Sequence, residues 1–191
     1  MFNNYMCFLG GFLLDMLLGD PYCLPHPIRI IGNFISFLEK KLLNLDKRNN
    51  KKELINGVVL VLLVIGFTGT ISYLILLLAY KFNFWLGMVL ETLMCYYIFA
   101  AKSLKTESMK VYNKLKSGTI EEARYAVSMI VGRDTSCLDK IGVSKAAIET
   151  VAENTSDGVI APMFFTALGG PVVGFMYKAV NTMDSMVGYK N

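Results

Sequence analysis

The sequence predicts an all-α, polytopic integral membrane protein with a helical hairpin and a broken or re-entrant apolar segment. Three observations carry this. Hydrophobic residues make up 54% of the 191-residue chain and its mean hydropathy is +0.46, too apolar for an ordinary soluble domain of this size. Leu54 to Tyr80 contains no charged side chain and is long enough to cross a hydrocarbon layer of about 30 Å. Val159 to Tyr177 is equally apolar but is interrupted by Pro162, Gly169, Gly170 and Pro171. Broken backbone at membrane depth is tolerated where it lines a polar cavity or is buried in protein.

The remaining elements follow in chain order. Tyr5 to Leu18 is a shorter apolar stretch containing Asp15, without the positive start of a signal peptide, and reads as a partial span. His26 sits between Pro25 and Pro27, which fixes it in an extended or turn conformation, where it acts as a structural hydrogen-bonding residue or as a phosphate or proton contact beside Asp20 and Arg29. Phe84 to Ala101 is a second span, separated from the first only by Lys81, Phe82 and Asn83, so the two form a hairpin across residues 53–101. Glu91 interrupts it. A carboxylate near the bilayer centre costs roughly 2.5–3.5 kcal/mol unless it faces inward or is neutral.

Basic residues orient the hairpin. Six lie between Lys40 and Lys52 and nine between Lys102 and Lys145, against Lys81 alone in the turn. Positive-inside reasoning puts both long connections, including the helical stretch 102–148, in the cytoplasm. The net charge of +4 is therefore a topology signal, and without interleaved aromatics it argues for no nucleic-acid partner. Within 102–148, Leu104, Val111, Tyr112 and Leu115 share one helix face opposite five lysines, which suits an interfacial helix or one packed on its neighbour. Ser117-Gly-Thr119 ends that helix. Thr119 and Glu122 fit a capping box for a helix through Val131, and Arg133 in the loop after it is a phosphate clamp or the ion-pair partner of Asp134 or Asp139.

The chemistry concentrates in residues 149–191. Ser144 to Gly158 predicts a helix capped by Ser144 and stopped by Gly158. Glu149, Glu153 and Asp157 recur every four residues and so share a face. Three like charges in a row are mutually destabilising unless a cation neutralises them, and Mg²⁺, which takes one or two carboxylates with phosphate and water, is the natural candidate. Beyond the break, Lys178, Asn181 and Asp184 climb one side of a further helix. Two such helices flanking a glycine-rich break would hold a metal-bound phosphate, with Lys178 and Arg133 as counter-charges; a polar network that fixes helix packing is the alternative. One histidine and the absence of a C-x-x-C pair exclude a His/Cys transition-metal site, and no Gly-Lys-Ser/Thr P-loop occurs.

Glu149-Thr-Val-Ala-Glu-Asn-Thr-Ser-Asp-Gly-Val-Ile-Ala-Pro162 and Asn181-Thr-Met-Asp-Ser-Met-Val-Gly-Tyr-Lys190 together closely resemble the adenosylcobinamide-phosphate synthase family, CobD/CbiB. Val131-Gly-Arg-Asp-Thr135, Leu18-Gly-Asp-Pro21, Leu24-Pro-His-Pro27 and Arg29-Ile-Ile-Gly32 match in the same order, so the resemblance covers nearly the whole chain, while the family continues further with another acidic motif. The resemblance implies a membrane ligase of cobalamin assembly that joins an aminopropanol (phosphate) unit to adenosylcobyric acid, using ATP and Mg²⁺. Corrinoid, aminopropanol phosphate and the lipid bilayer are then the partners, and a homo-oligomer is compatible with it. The expected roles are metal ligation by Glu153, Asp157 and Asp184, proton acceptance by Glu149, and substrate or phosphate contacts from His26, Arg29, Arg133, Asn154, Lys178 and Asn181. Two other readings fit the residues: a small-molecule transporter built on the broken segment, and a non-catalytic membrane sensor or truncated relative of the synthase.

Overall fold

The computed structural model describes residues 2–20, 26–43 and 50–188. Among them every regular element is helical: α1 (Phe2–Leu18), α2 (Pro27–Leu42), α3 (Asn50–Phe82), α4 (Phe84–Ile98), α5 (Ala101–Ser117), α6 (Ile120–Ser128), α7 (Lys140–Thr155), a π-helical turn (Ser156–Ile160) and α8 (Ala161–Val187). Three helical stretches, Lys52–Phe82, Phe84–Ser117 and Lys140–Val187, are long and apolar enough to cross a membrane.

The expected hairpin is present, and its turn is a single residue. Asn83 sits between α3 and α4 and caps the latter, its Oδ1 accepting from the amides of Trp85 at 2.8 Å and Leu86 at 3.4 Å. Exposed Phe84 and Trp85 flank it, the aromatic signature of a membrane–water boundary. Glu91 faces inward and is buried, receiving a hydrogen bond from the Tyr80 hydroxyl across the hairpin. The other long side chains of α3, from Leu54 to Leu78, are mostly exposed and form the face presented to lipid.

α1 runs parallel to α4 and packs along it. Cys7 Sγ contacts the Met88 carbonyl at 3.5 Å, and a Cβ on Gly11 would come within 2.5 Å of the Cys95 Cβ, so only glycine permits this approach. Both helices end at one level, about 21 Å along α4 from the hairpin turn. α2 then continues beside the first half of α3, where the Phe34 and Phe67 rings pack 4.4 Å apart with their planes tilted by 33° and Asn56 Nδ2 donates to the Leu42 carbonyl at 2.7 Å. Its buried face, Ile31, Ile35 and Leu38, joins Leu60, Val64, Ile98, Phe99, Phe175, Ala179 and Met183 in one core.

A second, smaller core holds α5, α6 and α7 together through Val111, Ala123, Val127, Val143 and Ala146. α5 therefore uses its apolar face to pack on its neighbours; Tyr112, expected on that face, is exposed under the Lys116 ammonium. The Thr119–Glu122 capping box forms as predicted, although α6 ends at Ser128, short of Val131.

The expected limits of the acidic helix need correcting. α7 starts at Lys140, capped by Asp139, whose Oδ1 accepts from the Gly142 amide at 2.7 Å. Ser144 lies inside the helix, its hydroxyl satisfied by the Lys140 carbonyl. Nor does Gly158 stop it. The chain widens through the π-turn and runs on into α8, and such a turn adds a residue to the helical count, shifting the faces beyond it.

The actual break is at Gly169–Gly170, where φ and ψ leave the helical region and Gly170 takes φ +70°. There the chain reverses. Phe165 stacks on Tyr177 at 4.9 Å between ring centroids, and Asn181 Nδ2 reaches the Asp157 carbonyl at 3.4 Å across 24 residues; a straight helix would separate that last pair by about 36 Å. The broken segment is thus re-entrant, with 161–168 as one arm and 171–187 as the other. Its returning arm lies along α3, α4 and α2 and supplies Phe175, Ala179 and Met183 to the main core.

Candidate active site

The level at which α1 and α4 end is where the polar side chains converge. Asp15, on the last turn of α1, is completely buried. Its Oδ2 accepts from the Ala101 amide at 2.9 Å, capping α5 from outside where Ala100 offers no side chain of its own. The Asp20 amide donates to Ser103 Oγ at 3.0 Å, the Tyr96 hydroxyl donates to the Gly19 carbonyl, and the Lys102 ammonium donates to the Leu17 carbonyl. These bonds clamp the end of the Leu18-Gly-Asp motif onto the α4–α5 junction.

His26 stands at the start of α2 as its N-cap. Its Nδ1 accepts from the Ile28 amide at 3.3 Å, which leaves Nε2 facing Asp20 Oδ1 at 3.4 Å, and its ring meets Tyr97 edge-on. Lys178, from the returning arm of α8, brings its half-buried ammonium within electrostatic reach of both Asp15 and Asp20. It forms no ion pair within 4.0 Å with either, among the described residues. Meanwhile one oxygen of each carboxylate, Asp15 Oδ1 and Asp20 Oδ1, is buried without a hydrogen-bond donor. The next turn of the same arm holds Asn181 against the Asp157 backbone, with Tyr177 nearby.

The other expected site residues divide as follows. Glu149 and Arg133 pair with each other at 2.6 Å on the exposed surface, so Arg133 finds its partner on α7 and not in Asp134 or Asp139. Asp134 instead turns back on Ser136, whose amide and hydroxyl hold its carboxyl below the usual carboxylate range. Glu153 and Asn154 are exposed on α7, Asn154 bonding the Thr150 carbonyl, and Arg29 is exposed on α2. Asp184 lies one turn beyond Asn181 and lines a separate cavity of about 710 Å³ with Glu39, Glu53, Gly57 and Val61. Glu153, Asp157 and Asp184 therefore do not assemble into a shared ligand set; among the described residues no three Asp, Glu, His or Cys side chains gather closely enough to hold a metal ion. Tyr189 and Lys190 of the last motif, and Pro21, Leu24 and Pro25 of the first, lie outside the described residues.

Sequence reasoning missed Asp15, Lys102 and Ser103. Asp15 read as an interruption of an apolar run, because its partner Ala101 is 86 residues away. Its signal was cost: a carboxylate in a packed helix requires a compensating contact. Beside it, Met16, Lys102, Lys105 and Met109 line a cleft of about 420 Å³.

This arrangement joins the two ends of the chain, and both ends carry the motifs of one family. Residues 8–191 match the family described as CobD/Cbib protein. The chain belongs to that family. Among its members, the cobalamin biosynthesis protein CobD of Listeria monocytogenes is 48% identical over 184 residues, covering 96% of this chain and 58% of the relative. The protein of that name from Clostridium perfringens is 46% identical, covering 95% and 56%, and that from Citrobacter koseri 43%, again covering 95% and 56%. The chain thus spans less than two thirds of the length of these family members. No solved structure matches it.

Proposed function

We propose that the chain works in cobalamin biosynthesis as an ATP-dependent ligase, forming the amide bond between adenosylcobyric acid and an aminopropanol (phosphate) unit. The supporting observation is the polar junction itself: Asp20 and His26 of the first motifs and Lys178, just ahead of the Asn181 motif, come together where α4 gives way to the lysine-rich α5. Relatives named for cobalamin biosynthesis, identical at nearly half of the aligned positions, point to the same pathway.

Carboxylate and amine do not condense spontaneously at neutral pH. Phosphoryl transfer from ATP to the corrinoid carboxylate would give an acyl phosphate and ADP. The amine then attacks the carbonyl carbon, the C–O bond to phosphate breaks, and the ammonium proton passes to a base. Net, carboxylate, amine and ATP become amide, ADP and phosphate. Negative charge builds on phosphate oxygens at each stage, and Lys178 with the lysines of the neighbouring cleft, Lys102 and Lys105, supplies the opposing charge. The Asn181–Asp157 contact fixes the returning arm that carries Lys178. Mg²⁺ enters as the nucleotide's counter-ion, and no step depends on ligands from the protein.

The purified chain, given adenosylcobyric acid, aminopropanol phosphate, Mg²⁺ and ATP, should form the cobinamide phosphate with one ADP per amide, read by mass spectrometry. Flux of either substrate across vesicles without ATP turnover would favour a transporter. Binding without turnover or flux would favour a sensor.

A further inference from the structure

We infer that Asp15, Asp20 and Lys178 form the receptor for the amine-bearing substrate, the two carboxylates taking its ammonium and the lysine its phosphate. The inference rests on the ligase reading and adds to it the side of the site that receives the nucleophile. Two independent observations carry it. Asp15 is entirely buried, yet its Oδ1 has no hydrogen-bond donor, and Asp20 Oδ1 has only His26 Nε2 facing it, at 3.4 Å and without a formed hydrogen bond. Lys178 lies close enough for its charge to act on both, without ion-pair contact to either.

A buried carboxylate oxygen left without a donor is costly, and a nearby lysine would ordinarily close the gap. Here it does not. Beside the His26 ring the cluster contributes two carboxylates and one lysine, so carboxylates outnumber the lysine and each keeps an oxygen without a formed hydrogen bond. A primary ammonium, with three N–H donors in a compact head, satisfies both oxygens at once. A simple amine would leave Lys178 facing carboxylates alone. An aminoalkyl phosphate, cationic at one end and anionic at the other, complements all three groups. Asp15 Oδ2 is held by the Ala101 amide, and the backbone amide of Asp20 is held by Ser103 Oγ, so the receptor is anchored before the ligand arrives.

The test compares two probes on the intact chain in lipid nanodiscs: 1-amino-2-propanol phosphate and isopropyl phosphate, which lacks only the amine. By calorimetry the aminoalkyl phosphate should bind at least about tenfold more tightly, the scale of a hydrogen bond to a charged group. Asp20→Asn and Asp15→Asn should each remove most of that preference while leaving isopropyl phosphate unchanged. Lys178→Met should weaken both probes and keep their ratio. Melting temperatures identify variants that fail to fold, and Asp20→Asn, which keeps the backbone contact to Ser103, is the more conservative of the pair. Equal binding of the probes by the wild-type chain, no binding of either, or an amine preference that survives in folded Asp20→Asn would overturn the assignment. Amide formation separates this from the functional reading. Turnover with the preference intact in Asp20→Asn sinks the receptor alone, whereas a preference that behaves as expected without turnover sinks the ligase reading and leaves the receptor standing.

Discussion

A carboxylate buried in an apolar helix bundle has to be neutralised, and Glu91 and Asp15 are treated in opposite ways. Glu91 receives the Tyr80 hydroxyl from the facing helix and sits in a closed contact, with the Tyr80 ring filling the space above Gly87. Its role is to fasten the hairpin. Tyr80→Phe should therefore cost about 1–3 kcal/mol of stability in detergent unfolding, because the carboxyl loses its donor and stays buried. Glu91→Leu in the same background should recover part of that loss; a Tyr80→Phe variant as stable as the parent would show that the pair contributes nothing. Asp15 is only half-satisfied, which is why it belongs to the site and Glu91 to the fold. Spacing along the chain distinguished neither, since what separates them is a partner supplied by another element. The same limit applies to Arg133, whose partner lies 16 residues away on α7.

At the scale of elements, local chemistry was the most legible. The capping box at Thr119 and the turn at Asn83 rest on contacts within three residues; the box formed where the sequence put it, and the turn fell within the expected Lys81–Asn83 connection but is shorter, Asn83 alone. Glu122 accepts from the Lys114 ammonium and the Thr119 amide, and these contacts hold its carboxyl below the usual range. A depressed folded-state pKa means that this contribution is present above the ordinary carboxylate range and is lost as pH falls through the lowered value. Protection of the α6 amides, corrected for the intrinsic pH dependence of exchange, should accordingly fall on the acid side of the ordinary carboxylate range, and Glu122→Gln should abolish that acid-side dependence; a variant with the parent's pH profile would contradict it. The π-turn was illegible because Gly158 carries the usual signal of a helix end, and the tertiary contact of Asn181 with Asp157 overrides it. Gly170 is the converse case. Its φ of +70° with ψ of −173° is a region open essentially to glycine, so Gly170→Ala should destabilise the re-entrant arms by about 1–3 kcal/mol, measured by thermal unfolding in detergent. A neutral substitution there would mean the reversal is not at this residue.

For the molecule as a whole, the apolar pattern revealed the hairpin and the broken segment but not how the elements converge. α1 with α2, and α4 with α5, each break at one depth, and the re-entrant arms of α8 reach that depth from the same side. The polar junction forms where α1 ends, where α4 gives way to α5 and where the returning arm of α8 passes. Positive-inside reasoning predicts that it faces the cytoplasm. A cysteine at Lys81 should react with an impermeant maleimide in intact cells, and the exposed native Cys137 only after permeabilisation; the reverse pattern would turn the site outward. That the chain reverses at Gly169–Gly170 and so returns Lys178 to the N-terminal carboxylates is the central claim, and a short-arm cysteine cross-linker applied to the Phe165→Cys, Tyr177→Cys double variant tests it most directly. The rings at these positions stack at 4.9 Å, whereas a continuous helix would hold them about 18 Å apart. Rapid intramolecular cross-linking in the folded, membrane-embedded protein is the expected result, and failure to cross-link with both cysteines demonstrably reactive would contradict the re-entrant fold and the site built on it.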